Sequence, residues 1–311
     1  SNKSMRLFSF ISSLFLLLII TGCVTTTGQQ LVLEGAAETQ KDEVNSSCDV
    51  EKLVQNNMVN DDNHATALDP ERISVLNWNI YKEQRENWAT DFKRYSYKHD
   101  VVMIQEANLG EGLKSALDKQ HQYWTLNTAF HYQDKATGVM TASRVRPIHN
   151  CGQSTVEPFI RFPKTSLVSY YPVKGINENL LVANIHGINF TLGVSVYKEQ
   201  MEKLYDAMKG HNGPIVLAGD FNTWSDARMQ IVDDLAQRLS LESLDYTSHN
   251  RTLIFGNAID HVFYRGLEPL EHDTWHVTSS DHNPTRVSFR VKDDAAVNAD
   301  FAMGGLANED C

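Results

Sequence analysis

The chain of 311 residues carries 28 Lys and Arg against 39 Asp and Glu, a formal net charge of −11, with 41% apolar and 22% charged residues. These proportions permit a full hydrophobic core in one large domain or two ordinary ones, and they argue against a module that grips duplex nucleic acid by neutralising its phosphates. They leave room for an enzyme that touches a polyanion briefly, because a bound divalent cation would reverse the local sign.

Lys3 and Arg6 precede an apolar run over residues 7–20, broken by Ser9, Ser12 and Ser13, and Ile20-Thr21-Gly22-Cys23 closes it. A positive start, an apolar stretch of this length and small residues at its end describe an export signal, and the run is short for a spanning helix. The last four residues also resemble a bacterial lipobox. That resemblance implies a lipoprotein signal peptide over 1–23 and membrane attachment through a lipid anchor on Cys23; an uncleaved N-terminal anchor is the alternative. Either puts the rest of the chain outside the cytoplasm. Val24 rather than Asp after the cysteine is similar to lipoproteins sorted to the periplasmic face of the outer membrane. Cys48, Cys151 and Cys311 then lie in an oxidising compartment, where three thiols allow one disulfide in three pairings. Cys48 with Cys151 is preferred, since it would tie the linker to the domain.

Residues 24–70 read as a flexible tether, with Thr25-Thr26-Thr27-Gly28-Gln29-Gln30, Asn45-Ser46-Ser47 and Asn60-Asp61-Asp62-Asn63 and few bulky residues between them. A short helix over 53–59 is a minor expectation. From 71 to 292 short runs rich in Val, Ile, Leu and Tyr recur, at 73–80, 101–105, 138–142, 166–173, 180–185, 215–218, 259–264 and 285–291. Residues 192–209 have helical spacing through Val196, Met201, Leu204 and Met208, and Gly210 ends them. Many strands and few long helices predict a packed α/β domain with sheets at its centre. Residues 293–311 read as a disordered acidic tail.

Polar residues stand at the ends of these runs, where core packing does not ask for them. The run 215–218 leads into Gly219-Asp220-Phe221-Asn222; if the extended geometry persists, Asp220 and Asn222 share one side and can hold a water, although Asp and Asn are also ordinary turn caps. In 73–80, Asn77 and Asn79 point one way and Leu76, Trp78 and Ile80 the other, and asparagine is poor in strand interiors. The run 101–104 ends in Gln105-Glu106, oxygen donors of the kind that suit a hard cation such as Mg²⁺. His186 closes 180–185. Asp260 precedes an aromatic-rich strand, and Ser280-Asp281-His282-Asn283-Pro284 enters the last one. An Asp260–His282 pair would fix the imidazole tautomer and raise its basicity. Each element alone reads equally well as a solvated strand end.

Taken in order, Asn79 in its Leu-Asn-Trp-Asn-Ile context, Gln105-Glu106, Gly219-Asp220-Phe221-Asn222, Asp260-His261-Val262-Phe263 and Ser280-Asp281-His282-Asn283-Pro284 resemble the motif series of the DNase I-like endonuclease/exonuclease/phosphatase superfamily. Trp78-Asn79-Ile80-Tyr81-Lys82, Asn184-Ile185-His186 and residues 189–194 look like its bacterial YafD-like branch. The resemblance implies an α/β four-layer sandwich, two β-sheets packed face to face and flanked by helices, with the site at one edge. It implies that Glu106 binds Mg²⁺ (Mn²⁺ substituting), with Asn79 and Asp281 close to the ion or its waters. Asp220 and Asn222 would orient the nucleophilic water and phosphoryl oxygens. His282, oriented by Asp260, would serve as general base or charge stabiliser, and His186 would assist the leaving oxygen, with Glu157 a candidate for its acidic partner. The expected reaction is metal-dependent hydrolysis of a phosphodiester, nuclease-type first. The alternatives are phospholipid, sphingolipid or small phosphorylated substrates on the same fold, or a non-catalytic envelope lipoprotein. No protein partner is expected. Lys82, Arg85, Arg144, Arg161 and Lys164 read equally as phosphate contacts or solvated surface charges, and Trp88, Trp124 and Trp224 are expected to pack the core rather than stack bases.

Overall fold

The computed structural model describes residues 24–26, 31–36, 39–44, 48, 67–120, 122–246 and 250–292. The strands are β1 (Val24–Thr25), β2 (Leu31–Ala36), β3 (Thr39–Val44), β4 (Ile73–Asn79), β5 (Val101–Asn108), β6 (Tyr123–Tyr132), β7 (Lys135–Ser143), β8 (His149–Val156), β9 (Pro163–Tyr171), β10 (Leu180–His186) and β11 (Ile215–Asp220). They continue with β12 (Glu242–Ser243), β13 (Leu253–Ile254), β14 (Asn257–Ala258), β15 (Asp260–Arg265), β16 (Leu267–Thr274) and β17 (Thr285–Val291). The helices are α1 (Trp88–Ser96), α2 (Glu111–Asp118), α3 (Ser195–Met208) and α4 (Asp226–Arg238).

One sheet runs β16-β17-β4-β5-β7-β6-β2-β3, with β1 added at β6, and the second runs β12-β15-β11-β10-β9-β8. Alternation of side chains decides what each face meets. Ile73 and Val75 of β4, Val101 and Met103 of β5, Leu180 and Val182 of β10, and Val216 and Ala218 of β11 fill the space between the sheets. The opposite residues face outward. Leu76, Trp78, Val102 and Ile104 pack with Phe92 of α1 and Leu113 and Leu117 of α2. Leu181, Ala183, Ile215 and Leu217 pack with Tyr197, Met201, Leu204 and Met208 of α3 and Val232 and Leu235 of α4. The result is the expected four-layer α/β sandwich.

The inter-sheet face turns polar toward one edge. Gln105 donates to Asn77 Oδ1 (2.9 Å) and Asn184 Oδ1 (2.7 Å), and Asn184 donates to the Met140 carbonyl (2.8 Å). These buried amides satisfy one another across the sandwich, as a dry interior requires. Parallel pairing of β4 with β5 and of β10 with β11 brings the carboxyl ends of all four strands to that edge. Gly219 permits the close approach there, because a Cβ on it would lie 2.0 Å from the Ile185 carbonyl oxygen.

The N-terminal region corrects the tether reading. β2 and β3 form a hairpin, and β2 pairs antiparallel with β6, Leu33 opposite Leu126. Val32 and Leu33 are buried; the edge of β6 offered hydrogen-bond partners to β2 and apolar cover to Val32 and Leu33, a pair too short to weigh against its polar surroundings. Leu68 is also buried, bridging to Val173, so the domain begins before residue 71. Cys48 is joined to Cys151 of β8 by a disulfide, the preferred pairing. Among the described residues no helix is long and apolar enough to cross a membrane. The signal at 1–23, the short helix at 53–59 and the tail at 293–311 lie outside the described residues.

Candidate active site

Asp220 stands at the meeting point of the two sheets. β11 carries it onto the inter-sheet face in the alternation begun by Val216 and Ala218. Its Oδ2 accepts from Asn79 Nδ2 (3.1 Å) at the end of β4, and lies 3.5 Å from His186 Nε2 and 3.6 Å from His282 Nε2. Its Oδ1 accepts from the Asn222 amide (3.0 Å). His282 is held by Asp260, whose two oxygens lie 2.9 and 3.1 Å from Nδ1. The Trp78 indole donates to the His282 carbonyl (2.9 Å), and Ser280 Oγ both accepts from the His282 amide (3.1 Å) and donates to the Asn79 carbonyl (2.6 Å). Four far-apart motifs therefore converge in one buried cluster.

Glu106 arrives by a different device. Strict alternation would send it to the helix side of β5, since Gln105 faces the other sheet. Instead the pairing with β7 shifts between Ile104 and Ala107, and Glu106 takes a left-handed backbone (φ 53°). This bulge re-aims the carboxylate into the site. Glu106 is ion-paired with Lys82, and its Oε1 lies 3.9 Å from His186 Nε2. Lys164, at the start of β9, places its Nζ 2.7 Å from the same imidazole nitrogen.

The charges follow from burial and neighbours. Burial alone would raise Glu106, but Lys82, His186 and Lys164 outweigh it and hold the carboxyl down at about 2. Burial alone would depress His282; Asp260 and Asp220 outweigh it and hold the imidazolium up to about 10. Asp220 is pushed up to about 6 by burial, with the His282 charge opposing. Burial and the Lys164 ammonium keep His186 well below the ordinary histidine range, so its Nε2 accepts the lysine hydrogen bond. At neutral pH the set is an ionised Glu106, a His282 imidazolium on Asp260, and a neutral His186 beside a lysine.

Three expected placements differ. Asn222 does not share a face with Asp220: its backbone is left-handed (φ 51°), and its amide donates to the Gly187 carbonyl (2.9 Å), tying the loop after β10 to the loop after β11. Asp281 is exposed, accepting from Ser280 Oγ (3.4 Å), rather than gathered with Glu106 and Asn79. Glu157 is fully buried, but Oε1 accepts from the amides of Asn189 (2.5 Å) and Phe190 (3.2 Å) and does not serve His186. Trp124 is core, whereas Trp224 is half-buried at the site edge against Phe255. Arg228, unmarked in the sequence, is fully buried and gathers the carbonyls of Ile188 (2.5 Å), Asn189 (2.8 Å) and Asn222 (3.0 Å), fixing both loops.

The donor set fits a hard divalent cation. Glu106 is ionised with the Lys82 ammonium as its resting counterion, and the Asp220 carboxylate and Asn79 amide oxygen lie nearby, the oxygen chemistry such ions prefer. Asp220, Asp260 and His282 also offer ligand atoms within 4.8 Å of one another. Both Asp260 oxygens engage His282, which leaves Glu106, Asp220 and Asn79 as the second set of oxygen donors that could hold an ion.

Beside this set, Glu83 is pushed up to about 7 by burial, with Lys135 opposing, and its Oε1 is buried without a hydrogen bond. Its carboxyl holds a proton longer folded than unfolded, so its contribution is fully present below about 4.5 and is lost as pH rises through about 7. Glu83→Gln is therefore expected to raise the melting temperature at pH 8 by roughly 2–4 °C, about 1 kcal/mol after discounting for partial solvation, and to change nothing at pH 4. Thermal scans at the two pH values check this; an equal shift at both would remove ionisation as the cause.

The profile of the Endonuclease/Exonuclease/phosphatase family matches residues 76–282. A UPF0294 protein of Vibrio vulnificus is 40% identical over 224 residues, covering 72% of this chain and 78% of the relative. The human Nocturnin catalytic domain, solved with a bound sulfate anion, superposes with a TM-score of 0.56 at 14% identity, over 73% of this chain and 97% of that one. An endonuclease/exonuclease/phosphatase from Beutenbergia cavernae gives 0.53 at 17% identity, over 71% and 72%.

Proposed function

The chain belongs to the endonuclease/exonuclease/phosphatase family, a family of divalent-metal-dependent hydrolases of phosphoester bonds, and from that premise we propose that it hydrolyses phosphodiesters with Mg²⁺, or Mn²⁺ in its place. The observation that carries the reading is the single buried point where Asp220 Oδ2 meets Asn79, His186 and His282, with Asp260 behind His282. A scattered set of the same residues would support no such reaction.

A phosphodiester resists water because its negative charge repels nucleophiles. The bound cation would neutralise part of that charge and stabilise the departing oxygen. Asp220 is placed to orient the attacking water and to draw its proton, and its pKa of about 6 suits that exchange. Because His282 rests as an imidazolium, its Nε2–H is a donor for a phosphoryl oxygen, and charge stabilisation is favoured over general-base action. Lys164, whose Nζ lies 2.7 Å from His186 Nε2, would give the leaving oxygen a proton or a hydrogen bond, with His186 orienting it. Completeness of this set speaks against a non-catalytic lipoprotein.

The nuclease-type substrate remains the first reading; a phospholipid diester is the second, favoured by the exposed Phe190, Leu192 and Phe255 on loops beside the site. Purified protein should cleave one diester from a panel of plasmid DNA, RNA, a generic diester, a phosphomonoester and sphingomyelin, with Asp220→Asn as control. Cleavage of none above that control would reject the hydrolase reading.

A further inference from the structure

Six of the nine large apolar side chains exposed on the described surface are Val156, Phe159, Phe190, Leu192, Leu253 and Phe255. Leu192 and Phe255 are 80% and 88% exposed. Topology puts all six at the edge that holds the site. β10 and β11 run parallel and end there in His186 and Asp220, and the loop after β10 carries Phe190 and Leu192. β9, antiparallel to β10, starts at that edge beside Lys164, so the β8–β9 loop with Phe159 lies there too, next to the end of β8 at Val156. β15, antiparallel to β11, begins there with Asp260, and the β13–β14 hairpin with Leu253 and Phe255 precedes it.

These loops are fastened to one another. Glu157 binds the Asn189 and Phe190 amides, Trp224 donates to Asn189 Oδ1 (3.1 Å) and meets the Phe255 ring (6.3 Å between centroids), and Asn257 donates to the Trp224 carbonyl (3.0 Å). An apolar rim held out this way marks a contact surface, whereas single exposed apolar residues are ordinary.

A second observation says what it meets. Val24, next in sequence to Cys23 and the apolar run 7–20, pairs with Tyr132 at the end of β6. β6 turns there into Lys135 of β7, and β7 lies antiparallel to β5, Thr137 opposite Asn108 just beyond Glu106. Val24, the residue that follows the expected lipid-bearing Cys23, therefore sits at the site edge. We propose that this edge docks on a lipid bilayer, the rim loops entering its interfacial region and the site facing the headgroups. Half of the rim, Val156, Leu192 and Leu253, has no ring face on which a base could stack, and a formal net charge of −11 opposes a polyanion. The same charge points to a zwitterionic surface gripped by apolar contact. That the headgroup phosphodiester is then the substrate rests on the hydrolase reading above; the docking itself does not.

The test is lipid photocrosslinking of the full chain incorporated in phosphatidylcholine–phosphatidylethanolamine vesicles carrying a diazirine on the acyl chain, with adducts mapped by mass spectrometry. Adducts should concentrate at 156–162, 187–194 and 250–258, fall at least fivefold in a Leu192→Ser/Phe255→Ser double variant, and return with Phe255→Leu in the Leu192 wild-type background. Asp220→Asn should show the wild-type pattern. If it docks while the wild type cleaves no diester, the docking stands and the hydrolase reading falls. Adducts absent from these loops, unchanged by the double variant, or displaced by oligonucleotide would overturn the docking even in an active enzyme.

Discussion

Replacing His282 with alanine is expected to lower kcat on a generic phosphodiester by about 10²–10³-fold, the usual worth of a positioned charge-stabilising donor, while the circular dichroism spectrum stays native. The magnitude rests on two interactions that one imidazole makes at once: the Nδ1 bond to Asp260 and the Nε2 approach to Asp220 (3.6 Å). Removing the imidazolium also leaves Asp220 and Asp260 buried without their cation, so some stability should be lost as well. The sign follows from linkage. A histidine held up to about 10 contributes most below its unfolded value of about 6.5, and that contribution is lost as pH rises through about 10. The stability cost of His282→Ala should therefore be larger at pH 6 than at pH 10. Activity within twofold of wild type would remove His282 from the chemistry whatever the stability did.

Chelation should have an equally large effect. EDTA is expected to bring diester cleavage to the level of the Asp220→Asn control, and Mg²⁺ or Mn²⁺ to restore it. A readout independent of turnover accompanies this: a cation that binds the folded chain alone stabilises it by about 2.7 kcal/mol at a hundredfold excess over its Kd. The melting temperature should thus rise with Mg²⁺ and should not in Glu106→Gln. Because Lys82 pairs with Glu106 in the resting arrangement, Glu106 could hold an ion only by giving up that ammonium, and Lys82 would then be available to a phosphate oxygen. Undiminished cleavage in chelator would take the metal out of the scheme.

The resemblance anticipated the layers of the sandwich, and alternation anticipated the faces of its central strands. Asn79 could be placed because Leu76, Trp78 and Ile80 visibly claim the other face of their strand. Glu106 could be named from its motif but not aimed, since a bulge and a left-handed residue override a period of two. Asn222 failed for the related reason that its strand stops at Asp220. β6 escaped notice because its inward residues are Thr125 and Asn127, polar groups that find partners only once the sheets close. β16 escaped because Glu268, Glu271 and Asp273 imitate a loop. Lys164 on His186 and the carbonyls gathered by Arg228 are long-range pairings with no local period, and nothing in the linear chain marks them.

The bond between Cys48 and Cys151 spans a separation of 103 residues. A crosslink enclosing so much chain restricts the denatured ensemble by roughly 4–5 kcal/mol in the entropic account, and reducing interiors do not sustain such bonds. On the export reading, the redox state of this one pair should therefore record where each copy matured. Alkylation of living cells, followed by a gel-mobility readout, would separate copies that folded under oxidation from any held back inside.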